Sequence, residues 1–465
     1  MGMTLIDKIW NAHFVARRAD GYDLIYIDRH VLHELHAPHA FARLDQTRRT
    51  VRRTDLTIAV QDHTVITRPS AERRSSAFAD ATRAGSQRNN IRLLDIGDRD
   101  QGIVHVVSPE LGIAIPGATL ACPDSHACTV GGLGVLAFGC GTSELEHVLA
   151  SQVLAIKKPK QMRITLDGTL PPGVTAKDVI LHLIGTVGVS GGRGYFVEYA
   201  GEVVRAMTVE ARLTLCNMTI EFGARTGIIA PDRKTFDWCE GRPWAPKGEQ
   251  WRAAVEWCRS LATDSDARFD REVHIDCSSL APQLTWGTDP GQVAAVSGVV
   301  PDPELAEPER QQAIRRAIDY MGLKPGQPIA GLPVHRVFIG SCTNARLSDL
   351  QSAAEVVRGR RVADGVVAFV VPGSSAVKRQ AEAAGLDRVF ADAGFEWHES
   401  GCSMCAGTNG DLGKPGERCI STSNRNFENR QGPGVRTHLA SPAMAAAAAI
   451  AGCIVDVREF AAGST

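Results

Sequence analysis

The sequence predicts an α/β fold built from several parallel-sheet domains, on three observations. Its 465 residues exceed what one core usually holds, and 44% hydrophobic content can fill two to four cores. The last third alternates strand-like and helix-like apolar runs, the βαβα rhythm of a parallel sheet covered by helices. Cys342 falls in a loop directly after one such strand, where open parallel sheets gather their sites.

Taken in order, Ile25–Ile27 reads as a strand ending at Asp28-Arg29-His30. Gly102–Val107 reads as another, and Thr119–Cys122 as a third that enters Pro123-Asp124-Ser125-His126. A helix starts at a Ser143/Glu146 capping box and carries Leu145, Val148, Leu149, Val153 and Ile156 on one face. A second unit opens with the strand Met162–Leu166 and holds a glycine-rich turn at 188–194 and a helical segment at 213–223. That turn lacks the GxGxxG order and is no phosphate loop. Residues 285–308, rich in proline and glycine, read as a connector. The third unit runs through the strand Val334–Ile339, a helix bearing Leu347, Leu350, Ala354 and Val357, the strand Val366–Val371 and the helix Ala376–Ala384. Val389-Phe390 then leads toward Gly401-Cys402. The expected domains are 1–161, 162–284 and 285–465, the last comprising the connector and the cysteine-bearing α/β unit.

A net charge of -1 gives no electrostatic reason to expect nucleic acid or an anionic membrane as partner. Arg48–Arg53 is the one local concentration of arginine and reads as a solvated loop. No apolar run is long enough to span a bilayer, the alanine-rich stretch 443–450 included. Twelve cysteines behind a start without a cleavable signal pattern point to a reducing compartment, so a cytoplasmic protein is expected. Cys140, Cys216, Cys239, Cys258, Cys277 and Cys453 read as small core side chains.

Cys342, Cys402 and Cys405 supply three thiolates, one fewer than a closed zinc site or a fully ligated iron–sulfur cluster takes. The CxxC pair alone also fits a zinc half-site, with Cys419 as the near fourth ligand, or a redox pair. Asp62-His63 and Asp124-Ser125-His126 set carboxylates beside imidazoles, suited to proton transfer either within each motif or across a site. Asn217 and Glu221, at i and i+4, share a helix face. Arg425 and Arg430 offer two guanidinium forks for a dicarboxylate.

Together with Tyr26–His30, Gly102–His105, Gly141–Ala150, Leu215–Met218, Gly340-Ser-Cys-Thr-Asn344, Gly401–Cys405, Ser421–Phe427 and Gly434–His438, these motifs resemble the aconitase superfamily, most closely its isopropylmalate dehydratase branch. The resemblance runs along essentially the whole chain. It implies a three-domain aconitase-like architecture around an iron–sulfur cluster, without the swivelling fourth domain, which a separate small subunit supplies along with a catalytic serine. It further implies one 4Fe-4S cluster per subunit on Cys342, Cys402 and Cys405, and a small hydroxy-dicarboxylate as substrate. His63 and Asp124 would handle the proton at the substrate hydroxyl, with His105, Ser125 and His126 bonding substrate or water. Asn217 and Glu221 would flank the metal. His33, Ser341, Asn344, Asn424, Arg425 and Arg430 would bind substrate.

The sequence departs from the family pattern at Ala127-Cys128, at Val130 and at Ala406-Gly407-Thr408. No ligand is replaced, so the hydro-lyase chemistry is expected to survive. The substrate's alkyl group is left open, with 2-methylmalate or 2,3-dimethylmalate as the alternative.

Overall fold

In a computed structural model that describes residues 2–69 and 76–462, the chain forms two compact units, both built on parallel sheets. One comprises residues 1–65, 74–169 and 192–276. Its five-stranded sheet has the order Arg92–Leu94, Thr57–Val60, Arg29–His33, Thr119–Cys122, Leu136–Gly139, every pair parallel. The order reverses between Arg29–His33 and Thr119–Cys122, and there the carboxyl ends of neighbouring strands open a crevice. Strands buried on both faces carry apolar runs, as Ile58–Val60 and Leu120–Cys122 do after a buried threonine. A four-stranded parallel sheet follows, ordered Thr226–Ile229, Tyr195–Ala200, Lys160–Asp167, Arg271–Asp276. A small antiparallel sheet joins Phe14–Arg17, Asp23–Tyr26 and Val153–Ile156.

The other unit comprises residues 66–73, 170–191 and 277–465. Its five strands, Glu396–Trp397, Val367–Val370, Arg336–Ile339, Arg418–Ser421 and Arg436–Leu439, are all parallel, as the sequence rhythm predicts. The order reverses between Arg336–Ile339 and Arg418–Ser421, which puts the Cys342 loop at the switch point. The connector holds a short hairpin, Gln283–Thr285 against Val293–Ala295. The alanine-rich stretch is a buried helix, Pro442–Ala451. Among the described residues no helix is long and apolar enough to cross a membrane.

Four local readings are corrected. Residues 102–107 are not a strand: Val104–Glu110 is a short helix whose residues 104–109 are all buried. Its β-branched residues serve packing on every side, which overrides their strand preference. The helix expected through Ile156 begins at Thr142, where Glu144 accepts from the Gly141 amide at 2.9 Å, and ends at Ser151. Gln152 turns left-handed (φ 67°), and Val153–Ile156 pairs as a strand with alternate residues buried. The apolar spacing there satisfied both periods. The strand read as Ile25–Ile27 and ending at Asp28-Arg29-His30 is Asp23–Tyr26, and a separate strand, Arg29–His33, begins where it was expected to end. Val389-Phe390 lies in the helix Leu386–Ala393, with the last approach to the cysteines made by Glu396–Trp397.

Backbone contacts fix the segment that carries His126. The 3-10 turns of Ser125–Leu133 meet strand Thr226–Ile229 and helix Val209–Asn217 at Gly131 and Gly132. A Cβ on Gly131 would run into the Gly227 carbonyl, and one on Gly132 would lie 2.7 Å from the Leu213 amide nitrogen. Gly131→Ala is therefore expected to cost roughly 1–3 kcal/mol by overpacking, read as a lowered urea midpoint; an unchanged midpoint would contradict this packing.

Candidate active site

At the carboxyl ends of the first sheet, one Asp124 carboxylate gathers three histidines. Its Oδ1 lies 2.8 Å from His105 Nε2 and accepts from the His126 amide at 2.7 Å, and its Oδ2 lies 3.6 Å from His63 Nε2. His63 Nδ1 also donates to Asp62 Oδ1 at 2.5 Å. Both pairing schemes that the sequence left open thus occur, within Asp62-His63 and across the site to Asp124. Burial opposes charge on His63, but the Asp62 and Asp124 carboxylates outweigh it and hold the imidazole well above its usual range. Burial likewise opposes charge on Asp62, yet His63 holds it down at about 2. Asp124 falls well below the ordinary carboxylate range, burial being overcome by His105, His126 and His63.

A buried layer supports these groups. Asp62 Oδ2 accepts from the first amide of the 104–110 helix, Val104, at 2.9 Å. Glu34 accepts from the Asp62 and Thr64 amides at 3.1 and 2.6 Å, and burial raises its pKa, with the Asp62 charge adding to the effect. His33 stacks on His63 with centroids 4.4 Å apart, while its Nε2–H donates to the Pro123 carbonyl at 3.0 Å. Burial, then the His63 charge, depresses His33 to about 4, so it is neutral. His126 Nε2 meets Glu221 Oε1 at 2.7 Å, and Ser125 Oγ lies 3.3 Å from His126 Nδ1. Asn217, fully buried, donates to Thr129 Oγ1 at 2.8 Å, and Thr129 donates in turn to the His126 carbonyl. Asn217 and Glu221 thus act on one segment although a 3-10 turn from Met218 replaces the regular helix. The family departures here face inward: Ala127 and Val130 join the hydrophobic core, and the Cys128 thiol bonds the Asn217 carbonyl.

In the other unit all three cysteines are buried and free of disulfides. Asn424 Nδ2 donates to Cys342 Sγ at 3.4 Å and to Thr343 Oγ1 at 3.1 Å, and Cys405 Sγ lies 3.3 Å from Ser341 Oγ. Ser341 and Ser403, each next to a cysteine, have left-handed backbones (φ 81° and 47°), strain the surroundings must hold in place. An amide donating to the Cys342 sulfur suits a thiolate there, and three thiolates suit an iron–sulfur cluster with one open metal corner. Cys419 is a core thiol that burial pushes up to about 12. Asn344 donates to Asp349 at 2.9 Å. Arg430 Nε donates to the Cys405 carbonyl at 3.0 Å over the Phe427 ring, and Arg425 is half-buried on the same loop.

Sequence reasoning missed the buried Glu34, the fully buried Lys177 and the hub at Asp411. Asp411 Oδ2 accepts from Thr67 Oγ1, Ser403 Oγ and Asn409 Nδ2 at 2.9, 2.8 and 2.7 Å, and Arg68 approaches Oδ1 at 3.0 Å. It pins the CxxC turn at strained Ser403. Asp411→Ala should cost on the order of 3 kcal/mol by stranding these donors, measured by chemical denaturation; a change within error would contradict the hub. Lys177 stands in the first turn of a helix, where nothing in the local sequence shows that a tertiary partner covers it.

Residues 7–452 match the aconitase family (aconitate hydratase). Over 463 residues, 99% of this chain and 97% of the relative, the sequence is 56% identical to 3-isopropylmalate dehydratase large subunit 1 of Bradyrhizobium diazoefficiens. Among solved structures, the holo-form of Thermococcus kodakaraensis aconitase X aligns with 87% of this chain and 84% of its own, at 12% identity and a TM-score of 0.45. Sequence likeness along nearly the whole length therefore makes this chain a member of the aconitase family.

Proposed function

We propose that this chain is the large, catalytic subunit of a 3-isopropylmalate dehydratase. As a hydro-lyase it interconverts 2- and 3-isopropylmalate by losing and regaining water through 2-isopropylmaleate, a step of leucine biosynthesis. The observation that carries this reading is the 56% identity over 99% of the chain to a large subunit of that enzyme. Inward-facing departures at Ala127 and Val130 remove one reason for assigning a different malate.

Cys342, Cys402 and Cys405 would hold one 4Fe-4S cluster, which when bound supplies a Lewis acid for the departing hydroxyl. His63, held as an imidazolium by Asp62 and Asp124, donates a proton from Nε2 to that hydroxyl and recovers it on rehydration. Asp124 keeps His63, His105 and His126 in register, and Glu221, hydrogen-bonded to His126, would accept a proton from bound water. His105 and Ser125 bond substrate or water. His33 backs the His63 ring, and Asn217 braces the His126 segment. Arg425 and Arg430 grip the substrate carboxylate bidentately, with Ser341, Asn344 and Asn424 completing the polar lining beside the thiolates. The sequence is read as three domains, 1–161, 162–284 and 285–465, folded into the two compact units. A small subunit supplies the swivelling domain and a serine that removes the carbon-bound proton, and the assembly works in the cytoplasm.

The test is turnover by the anaerobically reconstituted chain, with and without a small subunit. With the subunit, 3-isopropylmalate should be turned over faster than 2-methylmalate or 2,3-dimethylmalate, and the chain alone should be inactive. Preference for a smaller malate, or full activity without the partner, would overturn the reading.

A further inference from the structure

Lys177 is a lysine with no solvent exposure, set in the first turn of the helix Ala176–Val187. Its Nζ donates to the Ser423 carbonyl at 2.5 Å, the Thr422 carbonyl at 2.9 Å and Asn344 Oδ1 at 3.4 Å. An ammonium has three N–H donors, and here they meet three oxygens. A neutral amine would point its lone pair at one of those oxygens, so the geometry selects the cation.

All three acceptors adjoin the thiol site. Ser423 precedes Asn424, whose amide bonds Cys342 Sγ, and Asn344 lies two residues beyond Cys342. Burying a cation costs several kcal/mol unless opposite charge compensates it. Burial draws Lys177 down to about 7 even though, in order, Cys405, Asp349, Cys342 and Asp178 oppose it. Asp178 is itself pushed up to about 6 by burial, its oxygens being taken by Thr175 and the Gln283 amide. Asp349 is occupied by Asn344 and the Arg346 amide. Cys405 and Cys342, together with the Asp349 carboxylate, are therefore the groups that balance the cation.

We propose that Lys177 is a positioning residue for the cluster: its buried ammonium ties the Thr422–Asn424 turn and Asn344 to the Cys342 loop and balances the negative charge that the three thiolates bring. The inference rests on the reading of Cys342, Cys402 and Cys405 as cluster ligands. Two consequences follow from charge alone. Removing the cation disfavours the more negative, reduced cluster, so the midpoint potential falls. It also loosens the turn that aims Asn424 at Cys342, so iron is lost sooner.

The test compares the full-length wild type with Lys177→Met and Lys177→Arg after anaerobic reconstitution with iron and sulfide. Redox titration followed by electron paramagnetic resonance and iron release to a chelator are the readouts, with thermal unfolding of the cluster-free chains as control. The methionine variant should show at least a tenfold lower reduced-to-oxidised ratio at a fixed potential, about 59 mV for a one-electron couple, and about tenfold faster iron release. Lys177→Arg, keeping the charge, should stay near wild type. Equal midpoints and equal release rates in wild type and Lys177→Met would overturn the proposal. If the methionine variant does not fold, Lys177→Gln carries the same measurements; failure of both neutral variants to fold would also overturn it, since the lysine would then serve the bare fold. A wild type that takes up no iron is a different outcome and sinks the ligand assignment itself.

Discussion

Replacing Cys342, Cys402 or Cys405 singly by serine should lower turnover by on the order of 10³-fold, because a metal acting on the leaving oxygen contributes several kcal/mol. The loss should be accompanied by loss of iron. The structure explains why no neighbour rescues it. Cys419, the nearest alternative by sequence, is a core thiol that burial holds protonated up to about 12. Loss of the Cys342 sulfur also removes one of the acceptors of the Asn424 amide, which bonds it at 3.4 Å. Cys419→Ser, by contrast, should leave iron content unchanged. Iron and labile sulfide assays on the four variants decide the matter: a ligand variant with full iron and full turnover would contradict the assignment.

His63→Gln should reduce turnover by about 10²–10⁴-fold with little effect on iron content, the size expected of a positioned general acid or base. The pH profile separates this role from a merely structural one. His63 sits well above the usual histidine range, so its charge persists through neutral pH, and activity that needs its proton declines as pH rises through that elevated value. The glutamine variant should lose this alkaline limb. Stability follows the same groups. A histidine raised in the fold contributes fully below its unfolded value of about 6.5 and loses the contribution as pH climbs through the folded value. Asp124, lowered in the fold, contributes above about 3.9 and loses it as pH drops through its folded value. The pair therefore stabilises the fold most between about pH 4 and about pH 6.5, and the His63 part is lost from there up to its raised value. Melting temperatures of wild type and His63→Gln across pH, converging at the alkaline end, would bear this out; parallel curves would not.

How much of this was legible in the chain depended on whether local pattern and tertiary demand agreed. They agreed in the last unit, where Val337–Ile339 and Ala368–Val370 are buried on both faces and read as unbroken apolar runs. They conflicted at Val104–Glu110, a helix made of strand-favouring residues because it is packed on all sides. They were degenerate at Val153–Ile156, whose spacing fits a helix face and an alternating strand equally well. Chemistry-bearing residues in recognisable motifs, such as Asp124 and Cys342, were readable, because their types and spacing are themselves the signal. Glu34, Lys177 and Asp411 were not, because each is defined by what surrounds it: a carboxylate under two amides, an ammonium among carbonyls, an acceptor shared by distant donors.

The account depends above all on metal at the three thiols, and the assay that reaches it most directly is elemental: iron, labile sulfide and zinc per chain after anaerobic purification. About four irons and four sulfides per chain, with negligible zinc, is the predicted result. Zinc near one per chain without iron, or neither metal after reconstitution, would contradict it.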